Sequence, residues 1–169
     1  SWAASYYMAP LGEVFSTALP SSFFDVACVQ KKKPVKTRTS PLAGHWVNEK
    51  HIKLNEEQNK IVHKLINSTT TEPLPALLHG VTGSGKTEVY IHFMEHLVHH
   101  GREVIYLVPE IGLTPQVIGR LSAVFGDKLA LYHSGLTENQ RVKEWLRAKN
   151  GEAKVMVGTR SALFAPFSN

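Results

Sequence analysis

The stretch Gly80-Val81-Thr82-Gly83-Ser84-Gly85-Lys86-Thr87 decides the architecture of this 169-residue chain. It satisfies G-x-x-x-x-G-K-[ST], a loop in which glycines let successive backbone N–H groups turn inward as an anion-binding nest. In such a loop Lys86 reaches the β- and γ-phosphates of a nucleoside triphosphate, and the Thr87 hydroxyl can hold Mg²⁺. The motif works where a strand feeds a helix. Here Leu74 to His79 reads as a short apolar strand and Thr87 to His100 as a helix.

Downstream of the loop, short apolar runs alternate with amphipathic stretches. Strands are expected at Val104 to Val108, Leu129 to Tyr132 and Val155 to Val157, with helices over 87–100, 114–125 and 137–149. Strands separated by helices imply right-handed βαβ units, and so an α/β fold with a parallel sheet covered by helices on both faces. Such sheets bind ligands at the carboxyl ends of their strands, where the phosphate loop falls.

Upstream, Asn55-Glu56-Glu57-Gln58 begins a helix that carries Ile61, Val62, Leu65 and Ile66 on one face. Asn55 is placed to be its N-cap and Gln58 to close a capping box. A glutamine just ahead of a phosphate loop can also read an adenine edge, because its amide both donates and accepts. Residues 1–26 are spaced as one or two short helices around Pro10, too small a piece to fold alone. Residues 27–53 contain Lys31-Lys32-Lys33, Lys36 and Arg38 among prolines, serine and threonines, the composition of a solvated basic linker.

A hydrophobic fraction of 43% with 20% charged residues suits a globular domain and excludes a disordered chain. The net charge of +5, with nine histidines besides, favours a polyanionic partner. No apolar run is long enough to span a membrane, and Ser1 to Pro20 has no basic leader, so cytoplasmic residence is the expectation. The single Cys28 can form neither an internal disulfide nor a cysteine zinc site.

Three more segments fall at strand ends. Pro109-Glu110-Ile111-Gly112-Leu113-Thr114-Pro115-Gln116 reads as a polar loop closing on a helix start, with Thr114 as N-cap and Pro115 in the first turn. A helix N-terminus of this kind is also a seat for a nucleic-acid phosphate. Arg160, after Gly158 and Thr159, could hold a phosphate bidentately or pair with a surface carboxylate. His133, before Ser134 and Gly135, reads as a turn residue.

Taken together, Leu54 to Gln58, Gly80 to Glu88, Leu107 to Gln116, His133 to Leu136 and Gly158 to Phe167 resemble the successive motifs of the primosomal protein N′ family. These are bacterial replication-restart DNA helicases of superfamily 2. Tyr6 to Val14 is similar to the end of that family's amino-terminal domain, which binds the 3′ end of a nascent strand. The resemblance implies a RecA-like lobe, residues 54–169, that couples ATP hydrolysis to 3′ to 5′ movement on DNA at stalled forks. It implies that Gln58 contacts adenine and that Gly80, Val81, Thr82, Gly83, Ser84, Gly85, Lys86, Thr87 and Glu88 form the ATP and Mg²⁺ site, with Lys86 and Thr87 in the catalytic roles. Glu110, Thr114, Gln116, Gly158, Thr159 and Arg160 would lie in or beside the segments that meet DNA. Forked DNA, other primosome proteins and single-stranded-DNA-binding protein are the partners implied, with no membrane.

Against that family pattern the chain is expected to be incomplete. Residues 1–26 would be a remnant of the amino-terminal domain, a winged-helix module would be missing around the linker, and the chain would stop before the Asp-Glu pair of the second nucleotide motif. The zinc module of the family would be absent as well. The expected outcome is a lobe that binds ATP and DNA with no more than trace hydrolysis. A nucleotide- or DNA-binding module without turnover and a small-molecule P-loop kinase remain the alternatives.

Overall fold

A computed structural model describes residues 5–6, 8, 10–23, 52–68 and 75–167. Most of the basic linker, with Cys28, lies outside them, as does Leu74. The described elements run α1 (Leu11–Ala18), α2 (Glu56–Ser68), α3 (Lys86–His99), β1 (Val104–Leu107), α4 (Pro115–Phe125), β2 (Leu129–Tyr132), α5 (Glu138–Lys149) and β3 (Val155–Gly158). Short 3₁₀ turns occupy Ser21–Phe23, Glu110–Gly112, Gly126–Lys128 and Arg160–Phe164.

The strands form a three-stranded sheet in the order β1-β3-β2, parallel throughout. The central strand explains itself: Val155, Met156 and Val157 have no exposed surface, and a strand buried on both faces reads as an unbroken apolar run. Because successive side chains point to opposite faces, Val155 and Val157 face one core while Met156 faces another. The first core packs Ile91, Met94 and Val98 of α3 and Leu121 and Phe125 of α4 against Leu129, Val155 and Val157. The second packs Ala148 of α5, Ala153 and Ala162 against Ala130, Tyr132 and Met156. Helices therefore cover both faces, the α/β arrangement of a RecA-like lobe.

The expected strand at Leu74 to His79 is not part of this sheet: residues 75–79 carry no strand pairing. Pro75 has no N–H to give a ladder, Leu77 is 92% exposed, and Leu78 instead joins a third apolar cluster with Leu54, Val62 and Val89. That cluster ties α2 to α3. The other boundaries differ by a residue, with β1 ending at Leu107 and β3 extending to Gly158.

Polar contacts secure the ends. Thr137 caps α5 in a reciprocal capping box with Gln140. Arg147 donates to Glu144 at 2.6 Å, to Leu129 O at 3.1 Å and to Asp127 O, binding α5 to the start of β2. The amino-terminal segment packs back on the lobe, with α1 against the 160–164 turn and the 21–23 turn against α5. There Phe23 lies 4.9 Å from the Trp145 ring. No helix among the described residues is long and apolar enough to cross a membrane.

Gly158 closes β3 against β2 where no side chain fits: a Cβ there would run into the Tyr132 carbonyl and lie 2.7 Å from Ala162 Cβ. Gly158→Ala is expected to cost about 1–3 kcal/mol by overpacking, read from denaturant unfolding.

His96, near the end of α3, has its pKa lowered by desolvation, with His100, His63 of α2 and His99 adding repulsion. His99 itself also lies 4.0 Å from Glu95. A histidine whose folded pKa is depressed binds fewer protons than in the unfolded chain, so stability is complete above the ordinary histidine value of 6.5 and falls as pH drops below it. The melting temperature should decline between pH 7.5 and 5.5, and decline less in His96→Gln; parallel pH profiles would contradict this.

Candidate nucleotide-binding site

The loop 80–85 runs into α3 with Gly83 at φ 84° and Gly85 at φ 82°. Both are left-handed conformations that L side chains rarely adopt. Gly85 occupies the N-cap position of α3, so the free N–H groups and positive dipole end of that helix open onto the loop. Lys86 folds its ammonium over the loop and donates to Gly80 O and Val81 O, each at 2.7 Å. Thr87 stands beside it in the first turn, half-buried. The fit to a triphosphate with Mg²⁺ rests on this cradle: a backbone turned inward by two positive-φ glycines, a cation at its mouth and a hydroxyl at the helix start.

Gln58 fills both of the structural positions open to it. Its backbone N–H donates to Asn55 Oδ1 at 2.8 Å while its Oε1 accepts the Asn55 N–H at 3.0 Å, a completed capping box. The remaining end of the amide, Nε2, donates to Ser84 O at 3.1 Å. The glutamine thus latches the start of α2 onto the phosphate loop, so closely that a Cβ at Gly85 would collide with Nε2.

Glu88 faces away from this latch. Its carboxylate accepts a two-pronged contact from Arg120 of α4, at 2.9 Å from Nε and 2.8 Å from Nη2. Nothing in the sequence announced that partner, which lies 32 residues away.

α3 runs antiparallel to β1, and Tyr90 in its second turn lies 6.0 Å from Tyr106 near the end of the strand. The amino end of α3 therefore sits beside the carboxyl end of β1, the sheet edge where the other segments gather. Glu110, Leu113, Ile118, His133, Ser134, Gly135 and Thr159 line one cavity of about 250 Å³ there. Ser134 donates its hydroxyl to Glu110 Oε1 at 3.1 Å, and the Gly135 N–H donates to His133 Nδ1 at 3.2 Å. The His133 bond leaves its Nε2 as the protonated nitrogen in the neutral ring. Thr114 caps α4 through the Val117 N–H at 3.3 Å, with Pro115 in the first turn as expected. Gln116 is exposed in that turn. Thr159 is buried and its N–H donates to Tyr132 O at 3.3 Å, whereas Arg160 is exposed at the start of its 3₁₀ turn. Arg141, unremarked in the sequence, donates to Ser134 O at 3.2 Å and braces the same edge.

The chain is similar to proteins already known. The family described as Type III restriction enzyme, res subunit, matches residues 51–169. The replication restart protein PriA of Haemophilus influenzae is 50% identical over 93 residues, covering 55% of this chain and 13% of that protein. PriA of Bacillus subtilis is likewise 50% identical over 93 residues, 12% of its length. PriA of Rickettsia prowazekii is 36% identical over 168 residues, 99% of this chain and 24% of the relative. The chain thus spans a quarter or less of the length of these relatives.

The contact between Gln58 and Gly85 sets a test by double-mutant cycle. Gly85→Ala should cost about 1–3 kcal/mol, part backbone strain and part collision. In a Gln58→Ala background the collision is gone, so the penalty should shrink by at least about 0.5 kcal/mol. Strictly additive costs would show that the latch does not press on the loop.

Proposed function

The chain belongs to the Type III restriction enzyme, res subunit, family, and we propose that it is the ATP- and DNA-engaging part of a PriA-type replication restart helicase. The observation that carries this is the positive-φ turn at Gly83 and Gly85, delivered onto the α3 N-terminus with Lys86 at its mouth. Backbone N–H groups of residues 83–87 would hold phosphate oxygens, and Lys86 would exchange the carbonyls of Gly80 and Val81 for the β- and γ-phosphates. Thr87 would ligate Mg²⁺, whose charge would offset that of the phosphates. Gln58 would offer its amide to adenine from its place over the loop, giving up a bond to Ser84 O or Asn55 N–H in return. Val81, Thr82, Ser84 and Glu88 complete the proposed site.

A single DNA strand would cross the carboxyl edge of the sheet. Thr114 and Gln116 would offer it a helix N-terminus, and Arg160, exposed beside Gly158 and Thr159, a guanidinium. Glu110, an acceptor, suits a base amine rather than a phosphate. Residues 1–26 are proposed to belong with a 3′-end-binding domain and 54–169 with the motor lobe, joined through 27–53. In the whole protein the reading extends to 3′ to 5′ unwinding at stalled forks in the cytoplasm, with primosome proteins and single-stranded-DNA-binding protein as partners. For the 169 residues themselves we propose binding of ATP and DNA with no more than trace hydrolysis, Lys86 and Thr87 holding the triphosphate.

Filter binding of an oligothymidylate across a salt series should give a steep linear fall of log affinity with log salt, the mark of phosphate contacts. Arg160→Ala should weaken binding and flatten that slope. Absence of binding at low salt would remove the DNA reading. An ATPase activity stimulated by single-stranded DNA and abolished in Lys86→Ala would overturn the expectation of trace turnover.

A further inference from the structure

The phosphate loop and the Thr114 turn belong to different helices, and one ion pair joins those helices close to both. Glu88 is the third residue of α3, and Arg120 lies six residues after Thr114, about 9 Å along α4 at 1.5 Å per residue. The pair is bidentate and well shielded, with side chains only 15% and 16% exposed. Two parallel contacts fix the angle between the groups as well as their separation. Farther along, α3 and α4 meet through Ile91, Met94, Leu121 and Phe125. Packed apolar faces permit small sliding shifts between helices; the fork does not.

Stability alone gives little reason for this pair. Shielded ion pairs gain little over well-packed apolar residues of similar volume, and their better-attested use is to fix a particular register. Charge supplies a second reason. A carboxylate in the first turn of α3 favours the helix dipole but would oppose phosphates arriving at the same helix end. Held by Arg120, it is turned toward α4 and neutralised.

We propose that the Glu88–Arg120 ion pair is the link through which nucleotide at the phosphate loop and a single strand at the Thr114 turn alter each other's affinity. The inference rests on the nucleotide and DNA reading given above. Arg120 is a positioning residue: it touches neither ligand. When Lys86 releases the carbonyls of Gly80 and Val81, any shift in the first turn of α3 passes through the rigid fork into α4 and so to its capped N-terminus. The same path runs in reverse.

The test is a coupling measurement on the 169-residue chain, with a fluorescent ADP analogue and oligothymidylate as probes. Each is titrated in the absence and presence of the other, and reciprocity requires the same factor from both arms. A factor of about fivefold or more is expected in the native chain, at the lower end of usual couplings. In Arg120→Gln that factor should collapse toward unity, while each probe alone still binds. Arg120→Lys, which keeps the charge and loses the fork, should give an intermediate factor, and it carries the test if the neutral variant does not fold. A merely structural pair would lower the melting temperature and both affinities while leaving the factor unchanged, and that result overturns the proposal. So does a factor of unity in a native chain that binds both probes. A native chain that binds neither probe would instead strike the nucleotide and DNA reading, and this inference with it.

Discussion

The burial of Ile91, Met94 and Val98 against the sheet fixes where Lys86 and Thr87 stand, and the rest of the site is arranged around that helix. Each of these side chains is at most 9% exposed, and full burial of one contributes about 1.5–3 kcal/mol. With α3 pinned along its length, its free amino end is held at the carboxyl edge of the sheet. The phosphate loop needs no strand pairing of its own to be placed, because it inherits its position from the helix it feeds. On the opposite side of α3, Val89 packs with Leu54 and Val62, so α2 arrives in register for Gln58 to reach Ser84.

Much of this was readable in the sequence, for identifiable reasons. The phosphate loop, the Asn55–Gln58 box and the Thr114–Pro115 helix start are local patterns whose physics plays out within a few residues, and all three are present. The unbroken apolar run of Val155 to Val157 identified a strand buried on both faces. The segment ahead of the loop misled, because Leu77 and Leu78 look like strand residues whether or not a ladder is available to them. Apolar composition reports burial potential; pairing depends on neighbours that composition does not reveal. The partners of Glu88 and Glu110 were unreadable for a related reason. Arg120 and Ser134 lie 32 and 24 residues away, and only the crossing of α3 over α4 and the alignment of two strand ends bring them close.

The two sides of the site differ in character. The proposed nucleotide side is backbone, shaped by two glycines and closed by one glutamine, and tolerates little change in shape. The proposed strand side is a set of side chains on four separate turns: the 110–112 turn, the Thr114 cap, the His133–Gly135 turn and the 160–164 turn. Gly158 and Thr159 belong to that edge, but their first duty is to close β3 on β2, since Gly158 has no room for a side chain and the Thr159 N–H bonds to Tyr132 O. A phosphate chain with flexible geometry suits adjustable side chains, whereas a triphosphate of fixed length suits a fixed loop.

The central claim is that the turn from Gly80 to Thr87 is a triphosphate seat. Amide hydrogen exchange across this turn, with and without ATP and Mg²⁺, tests it most directly. Slowed exchange at residues 83–87 on addition of ATP, lost in Lys86→Ala and smaller with AMP, is the result predicted. Exchange in the turn that ATP leaves unchanged, in a chain whose β3 amides remain protected, would contradict it.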